Sequence, residues 1–332
     1  MRPWLPLAAL LTIAALAAAV AFLPACAQDG APVSFPTRDV DGLSGLFGGD
    51  GAANAETSAR LFTPEGFGAG APVPAMVILH GSGGEWSGRG QRHGQFLAAH
   101  GIAALVVDTF ESRGQGRDVP YLDRLRVANV PDQISDAYAA LAYLRTLPGI
   151  DPERIGVMGY SMGGVSTYAA AFEQIAEAAG RAPERFGLHV AFYAPCFLET
   201  ALPRTTGAPV VAIWGDADES IHHDQCARLV ASLQAGGSPV AVHWLAGAAH
   251  GWNRTGDMRF FPSLPHGSPC RFRVGGDGTL VEALTGRPAA TDSQLIEVMA
   301  QCTATGYTIG RHEQADAEAN QILLDAIAEY LQ

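Results

Sequence analysis

The sequence predicts an α/β protein built on a doubly wound, mostly parallel sheet. Two observations carry that prediction. Short apolar runs of β type recur along the chain, among them Ala75-Met-Val-Ile-Leu79, Ile102-Ala-Ala-Leu-Val-Val107 and Pro209-Val-Val-Ala-Ile-Trp214, and stretches compatible with helix separate them. Alternation of short buried strands with helices is the pattern of a parallel sheet covered on both faces. With 332 residues and 48% hydrophobic content the chain has ample material for a sizeable core, and no linker or internal repeat divides it.

Element by element, strand 75–79 is followed by a helix-compatible stretch, 90–100, and then by strand 102–107. A well-signalled helix comes next: Pro131 suits its first turn, Ile134, Tyr138, Leu141 and Leu144 share one face, and Pro148-Gly149 stop it. Strand 154–158 leads into a helix after Ser161. Further strands are expected at 187–193, 209–214 and 240–244, with helix 224–235 between the last two. Residues 314–331 close the chain as an amphipathic helix through Ala319, Ile322, Leu323, Ala326 and Tyr330. Residues 253–311 break this rhythm with recurrent Pro and Gly and with Cys270 and Cys302. They read as an excursion before the C-terminal helix, in which Thr291-Asp-Ser-Gln294 forms a capping box.

The first 27 residues, with a basic start, an Ala/Leu core and Ala25-Cys-Ala27 at its end, predict an export signal. Cleavage after Ala27 is the leading reading. Lipidation of Cys26 and a retained anchor are the alternatives, so the mature chain is expected to be periplasmic or secreted, with no stable membrane span. Residues 28–54, rich in Gly, Asp and Pro, read as an irregular lead-in to a domain covering 55–332. Without Cys26 four cysteines remain, Cys196, Cys226, Cys270 and Cys302. In an oxidising compartment they predict two disulfides with three connectivities open. A formal charge of −12 and the absence of any Lys/Arg run argue against nucleic acid as a partner.

The chemistry-bearing stretch is Gly159-Tyr-Ser161-Met-Gly163, directly after a strand and before a helix. A serine hydroxyl is a weak nucleophile, so it needs a base within reach and donors for the oxyanion formed on attack. A strand-to-helix turn between glycines exposes such a serine. Upstream, strand 75–79 ends in His80-Gly-Ser-Gly-Gly84, a turn able to present the backbone N–H of Ser82 to the same oxyanion as the N–H of Met162, with His80 a structural residue of the turn. Downstream, Gly215-Asp-Ala-Asp218 and Ala246-Gly-Ala-Ala-His250 each follow a predicted strand, giving Asp218 and His250 as acid and base. Asp218 is preferred to Asp216 because it lies further out of its strand. His222-His223-Asp224 is not expected to bind a metal, since adjacent histidines do not share a face.

Ser161, Asp218 and His250 in that order resemble the α/β-hydrolase superfamily, and more closely its dienelactone hydrolase-like branch. Asp108-Thr-Phe-Glu-Ser-Arg-Gly114, Gly159-Tyr-Ser-Met-Gly-Gly164 and Gly247-Ala-Ala-His-Gly251 carry the likeness from about Ala55 to the final helix. The resemblance implies a serine esterase without metal or cofactor, acting on a small-molecule carboxylic ester through an acyl-enzyme. It implies the pairs Cys196–Cys226 and Cys270–Cys302, the second stapling the excursion. Members that open dienelactones carry cysteine where this chain has Ser161, which favours a broader ester substrate. A peptidase of the same fold and a binding module that has lost catalysis are the alternatives. Arg113, just beyond strand 102–107, reads equally as a substrate-binding residue and as a salt bridge holding the Asp108 loop. The excursion reads as a wall or lid of the pocket, or as a decorative loop.

Overall fold

The apolar runs of the sequence pair as strands of one eight-stranded sheet. The computed structural model describes residues 29–48, 52–180 and 183–331; the expected export signal, 1–27, and its Cys26 lie outside them. The strands of this sheet are β1 (Ala31–Asp39), β2 (Ala52–Phe62), β3 (Val73–Leu79), β4 (Ala103–Asp108), β5 (Ile150–Tyr160), β6 (Leu188–Phe192), β8 (Val210–Gly215) and β9 (Val240–Leu245), with β7 (Leu198–Thr200) outside it. Their spatial order is β1-β2-β4-β3-β5-β6-β8-β9. Strands β4 to β9 in that order are parallel, and β1 and β2 extend the sheet antiparallel at one edge.

Alternate side chains of the parallel strands enter two separate cores. Val77, Val157 and Ala212 face one side, where they meet helices α4 (Val130–Arg145), α5 (Met162–Ala169) and α7 (His223–Ala235) through residues such as Ile134, Leu141, Val165 and Leu229. Met76, Ile78, Met158 and Tyr160 face the other, under α2 (Arg89–Ala99) and α9 (Glu313–Tyr330), which contribute Leu97, Ala319, Leu323 and Ile327. Both faces are thus covered, which is why the strands read as unbroken apolar runs.

The lead-in departs from expectation. Instead of being irregular, it forms β1, paired antiparallel with β2, and the short helix α1 (Gly42–Gly48). Its signal is weak for physical reasons. Pro32 and Pro36 sit in the strand, which an edge position tolerates, only Phe35 and Thr37 of β1 are buried, and α1 is too short to show periodicity while burying Leu43 and Leu46. Two more helices, α3 (Tyr121–Val127) and α6 (Glu173–Ala179), fall in stretches without a strong pattern.

The excursion is ordered. It contains the antiparallel pair β10 (Arg259–His266) with β13 (Ala304–Ile309), the pair β11 (Phe272–Val274) with β12 (Leu280–Glu282), and α8 (Asp292–Cys302), whose Thr291/Gln294 capping box is present. Strand β11 also pairs in parallel with β7, tying the excursion to the chain after β6. Both disulfides form as the resemblance implies, Cys196–Cys226 and Cys270–Cys302. They fit an oxidising, non-cytoplasmic compartment. Among the described residues no helix is long and apolar enough to cross a membrane.

Candidate active site

Three loops at the carboxyl ends of β5, β8 and β9 converge. Ser161 follows β5 directly and caps α5 with φ 53° and ψ −111°, a left-handed conformation that costs energy for a residue with a side chain and that aims the hydroxyl out of the sheet. Two close backbone approaches make this turn possible. A Cβ at position 159 would overlap the carbonyl of Gly163, and one at position 163 would overlap the carbonyl of Leu79 at the end of β3. Only glycine fits at either place.

The Ser161 Oγ lies 3.0 Å from Nε2 of His250, and the opposite ring nitrogen, Nδ1, lies 2.8 Å from Oδ2 of Asp218. Asp218 and His250 are buried, and Ser161 is partly open. The neighbouring Asp216 is turned elsewhere: its carboxylate accepts the N–H of Gly247 at 2.7 Å, joining the two loops that carry Asp218 and His250.

The glycine-rich turn after β3 lies against Ser161. Gly84 N–H closes it onto the carbonyl of Gly81 at 2.9 Å, and a Cβ at position 81 would stand 3.5 Å from Cβ of Ser161. Ser82 and Met162 line the same cavity as Ser161, and the Tyr121 hydroxyl donates to Ser82 Oγ at 3.1 Å, fastening α3 to this turn. His80 is buried within the turn, its Nδ1 2.8 Å from the carbonyl oxygen of Gly81, and burial depresses its pKa.

Arg113 does not face this cavity. Its guanidinium is buried among carboxylates, bidentate to Asp136 at 2.8 and 3.0 Å, 2.8 Å from Asp39 and 3.5 Å from Asp132. It also donates to the carbonyl of Thr109 at 3.1 Å. The substrate-binding reading is therefore corrected: Arg113 binds β1, α4 and its own loop together. The acids around it strengthen its protonation despite burial, whereas burial lifts Asp132 to about 7. His222 and His223 open α7 at the surface, with His223 stacked on Trp244. Among the described residues no group of three or more His, Cys, Asp or Glu is placed to hold a metal.

Three side chains at the site escape sequence reasoning. The Ser220 hydroxyl donates to Oδ1 of Asp218 at 2.6 Å and stands 3.0 Å from Nδ1 of His250. A hydroxyl two residues after an acid is the one local signal, since such residues close Asx-type turns, and the Ser220 N–H indeed donates to the same carboxylate oxygen at 2.9 Å. The other two are tyrosines whose rings meet the imidazole edge-on, Tyr193 at 4.9 Å and Tyr307 at 5.3 Å. Tyr193 is held by Arg89 and Asn253 at its hydroxyl. Tyr307 belongs to β13, so the excursion reaches the imidazole. Its strand also bonds the loop directly, through His250 N–H to the carbonyl of Thr308 at 3.2 Å.

The excursion forms one wall of the cavity that opens at Ser161. This cavity has a volume of about 350 Å³, and Pro265, His266, Leu295, Ile296, Met299 and Tyr307 of the excursion line it. The reading of that segment as a mere decoration is set aside.

A strained serine after the central strand, an imidazole and a carboxylate from later loops, and the doubly wound sheet that places them define an α/β-hydrolase. More narrowly, the chain belongs to the dienelactone hydrolase family, whose model matches residues 57–263. Among solved structures it is similar to a Klebsiella pneumoniae subsp. pneumoniae MGH 78578 protein assigned as a dienelactone hydrolase, with a TM-score of 0.54 and 16% identity over 91% of this chain and 100% of that one. The propionate-bound esterase Est2 of Thermogutta terrifontis matches with a TM-score of 0.47 and 18% identity, over 60% of this chain and 82% of its own. Among curated proteins, the quorum-quenching protein AidA of Acinetobacter baumannii (strain MDR-ZJ06) is 34% identical over 102 residues. That alignment spans 30% of this chain and 31% of the relative.

Proposed function

We propose that this chain hydrolyses carboxylic esters through an acyl-serine intermediate. The observation that carries the reading is the continuous hydrogen-bonded chain from Ser161 Oγ through the His250 imidazole to Asp218, at 3.0 and 2.8 Å. His250 Nε2 takes the proton of Ser161 as Oγ forms a bond to the ester carbonyl carbon, and the carbonyl electron pair moves onto oxygen. The backbone N–H groups of Ser82 and Met162 receive that oxyanion. Collapse expels the alkoxide, which leaves with the proton from Nε2. Water then enters, gives one proton to His250 and attacks the acyl carbon. Release of Ser161 Oγ, reprotonated by His250, frees the acid. Asp218 keeps the ring in the required tautomer and stabilises the imidazolium. The predicted leader and the disulfides support action outside the cytoplasm, in the periplasm or as a secreted protein.

The test is covalent labelling by an organophosphonate together with turnover of p-nitrophenyl butyrate. Wild-type protein is expected to gain one phosphonyl adduct on the peptide containing Ser161. Ser161→Ala is expected to take none and to lose turnover by at least about 10⁴-fold. Folded wild-type protein that neither labels nor turns over ester would refute the proposal.

A further inference from the structure

We infer that the cavity behind Ser161 holds the acyl chain of the ester and selects medium chains, about six to ten carbons long. This rests on the ester-hydrolase reading and goes beyond it by naming the substrate class. At its inner end the cavity is bounded by Leu43, Ile134, Ile175, Leu198, Phe272 and Leu280, all buried in the main core. Two helices roof it, α3 through Leu122 and Leu125 and α8 through Leu295, Ile296 and Met299. Among the described residues no Asp or Glu lines it, and its one arginine, Arg126, is half-exposed and paired with Asp123 at 2.9 Å. An anionic group would meet no buried arginine or lysine in this lining, where the buried Asn129 amide already donates to Leu125 and Asp292, whereas an alkyl chain would lose only water.

Size sets the chain length. A cavity of ~150 Å³ accommodates one benzene, roughly 25 Å³ per carbon, so a cavity of about 350 Å³ has room for on the order of a dozen carbons, ester group included. The chemistry sets which half of the substrate enters. The alcohol leaves first, taking its proton from His250, and water must then reach the acyl carbon. A leaving group seated among the core residues would have to pass the newly acylated serine to escape. The acyl group stays bonded to Ser161 until the second step, and its chain suits the inner end.

Each methylene moved from water into an apolar wall is worth about fourfold in binding. With p-nitrophenyl acetate, butyrate, octanoate and palmitate at monomeric concentrations, kcat/KM is expected to rise at least tenfold from acetate to octanoate and to fall at palmitate. Ile296→Trp, which fills the roof, is expected to lower the octanoate-to-acetate ratio about tenfold. Leu125→Trp gives the same readout from the opposite helix should the first variant not fold. A flat or falling series from acetate to octanoate, or a gain for octyl acetate over ethyl acetate without an acyl gain, overturns the inference while leaving the esterase reading standing. A further rise at palmitate overturns the assigned size. Absence of both turnover and phosphonate labelling would instead remove the reading beneath it.

Discussion

The loops at the ends of β5, β8 and β9 and the excursion at 253–311 both reach His250, but they do so by different means. The loops are fixed by the sheet: each leaves one of its parallel strands, and a strained φ of 53° at Ser161 follows β5, which is packed on both faces. The excursion has one helix of its own and a longest strand, β10, that buries no residue, and it is held by the Cys270–Cys302 bridge, by β11 on β7, and by β13 on the His250 loop. The difference teaches a division of labour. The sheet places reacting atoms, where tenths of an ångström decide rates, and the excursion supplies volume and apolar surface, which tolerate looser positioning.

The sharpest way to break this comparison is on the sheet side. Asp218→Asn keeps the shape of the loop but removes the charge facing the imidazole, and kcat/KM is expected to fall about 10³–10⁴-fold. Ser220→Ala, which removes the hydroxyl shared by Asp218 and His250, is expected to cost about tenfold. Because Ser220 acts through the imidazole, its loss is expected to shift the pH at which kcat/KM reaches half its maximum, which a purely structural defect would not do. Steady-state pH profiles of both variants decide this. If Ser220→Ala lowers the rate with an unmoved profile, Ser220 is no more than a packing residue.

How much of this was legible in the sequence follows the same division. Five of the six parallel strands announce themselves because burial on both faces makes them largely apolar, whereas the sixth, β9, lies at the sheet edge with Val242 and Trp244 exposed. The order of Ser161, Asp218 and His250 is readable because each comes directly after such a strand. What meets only through tertiary packing is not readable. Arg113 gives no sign that Asp136 from α4 and Asp39 from β1 will surround it, so its role could not be settled from its position beside the sheet edge. Tyr307 lies far along the chain from His250 and touches it only because β13 returns to pair with β10 and to bond the His250 loop. Strand β1 is hidden by its prolines and by one-sided burial. The cavity belongs to no local pattern, since its walls come from α1, α3, α4, α8 and the excursion strands.

On the excursion side, the double variant Cys270→Ala/Cys302→Ala opens the loop between these cysteines. Loss of such a bridge removes about 3–4 kcal/mol in the chain-entropy picture, and here the loss falls on the wall of the cavity. The expected result is a lower thermal midpoint and a reduced octanoate-to-acetate ratio, with phosphonate labelling of Ser161 retained. Cys196→Ala/Cys226→Ala, which unties the loop after β6 from α7, is expected to lower both chain lengths together. Equal losses in the two double variants would erase the distinction between scaffold and wall.

The smallest expected effect concerns two acids, the buried Glu85 beside the scaffold and the half-buried Asp292 in the excursion. Glu85, just after the turn that carries Ser82, accepts the N–H groups of Gly90 and Gln91 at the start of α2, and burial lifts its carboxyl to about 7. Asp292, at the start of α8 in the excursion, is lifted by burial to about 6. A carboxyl with a folded pKa above its unfolded value binds more protons when folded, so its contribution favours the fold at low pH. That contribution is lost as pH rises from the unfolded value near 4 through the folded one. The contribution of these two acids should therefore decline between about pH 4.5 and 7 and then level, while the buried imidazoles of His93 and His189, lowered to about 4, contribute the opposite slope in both variants. Glu85→Gln keeps an acceptor for the two N–H groups and is expected to flatten that decline by about 1–2 kcal/mol, read as the thermal midpoint at pH 5 and 7.5. Asp292→Asn is expected to flatten it less and over a window ending lower, because its shift is smaller and its site more open. A shallower decline in the Asp292 variant than in the Glu85 variant would show that the scaffold, and not the excursion, carries the weaker of the two titrations.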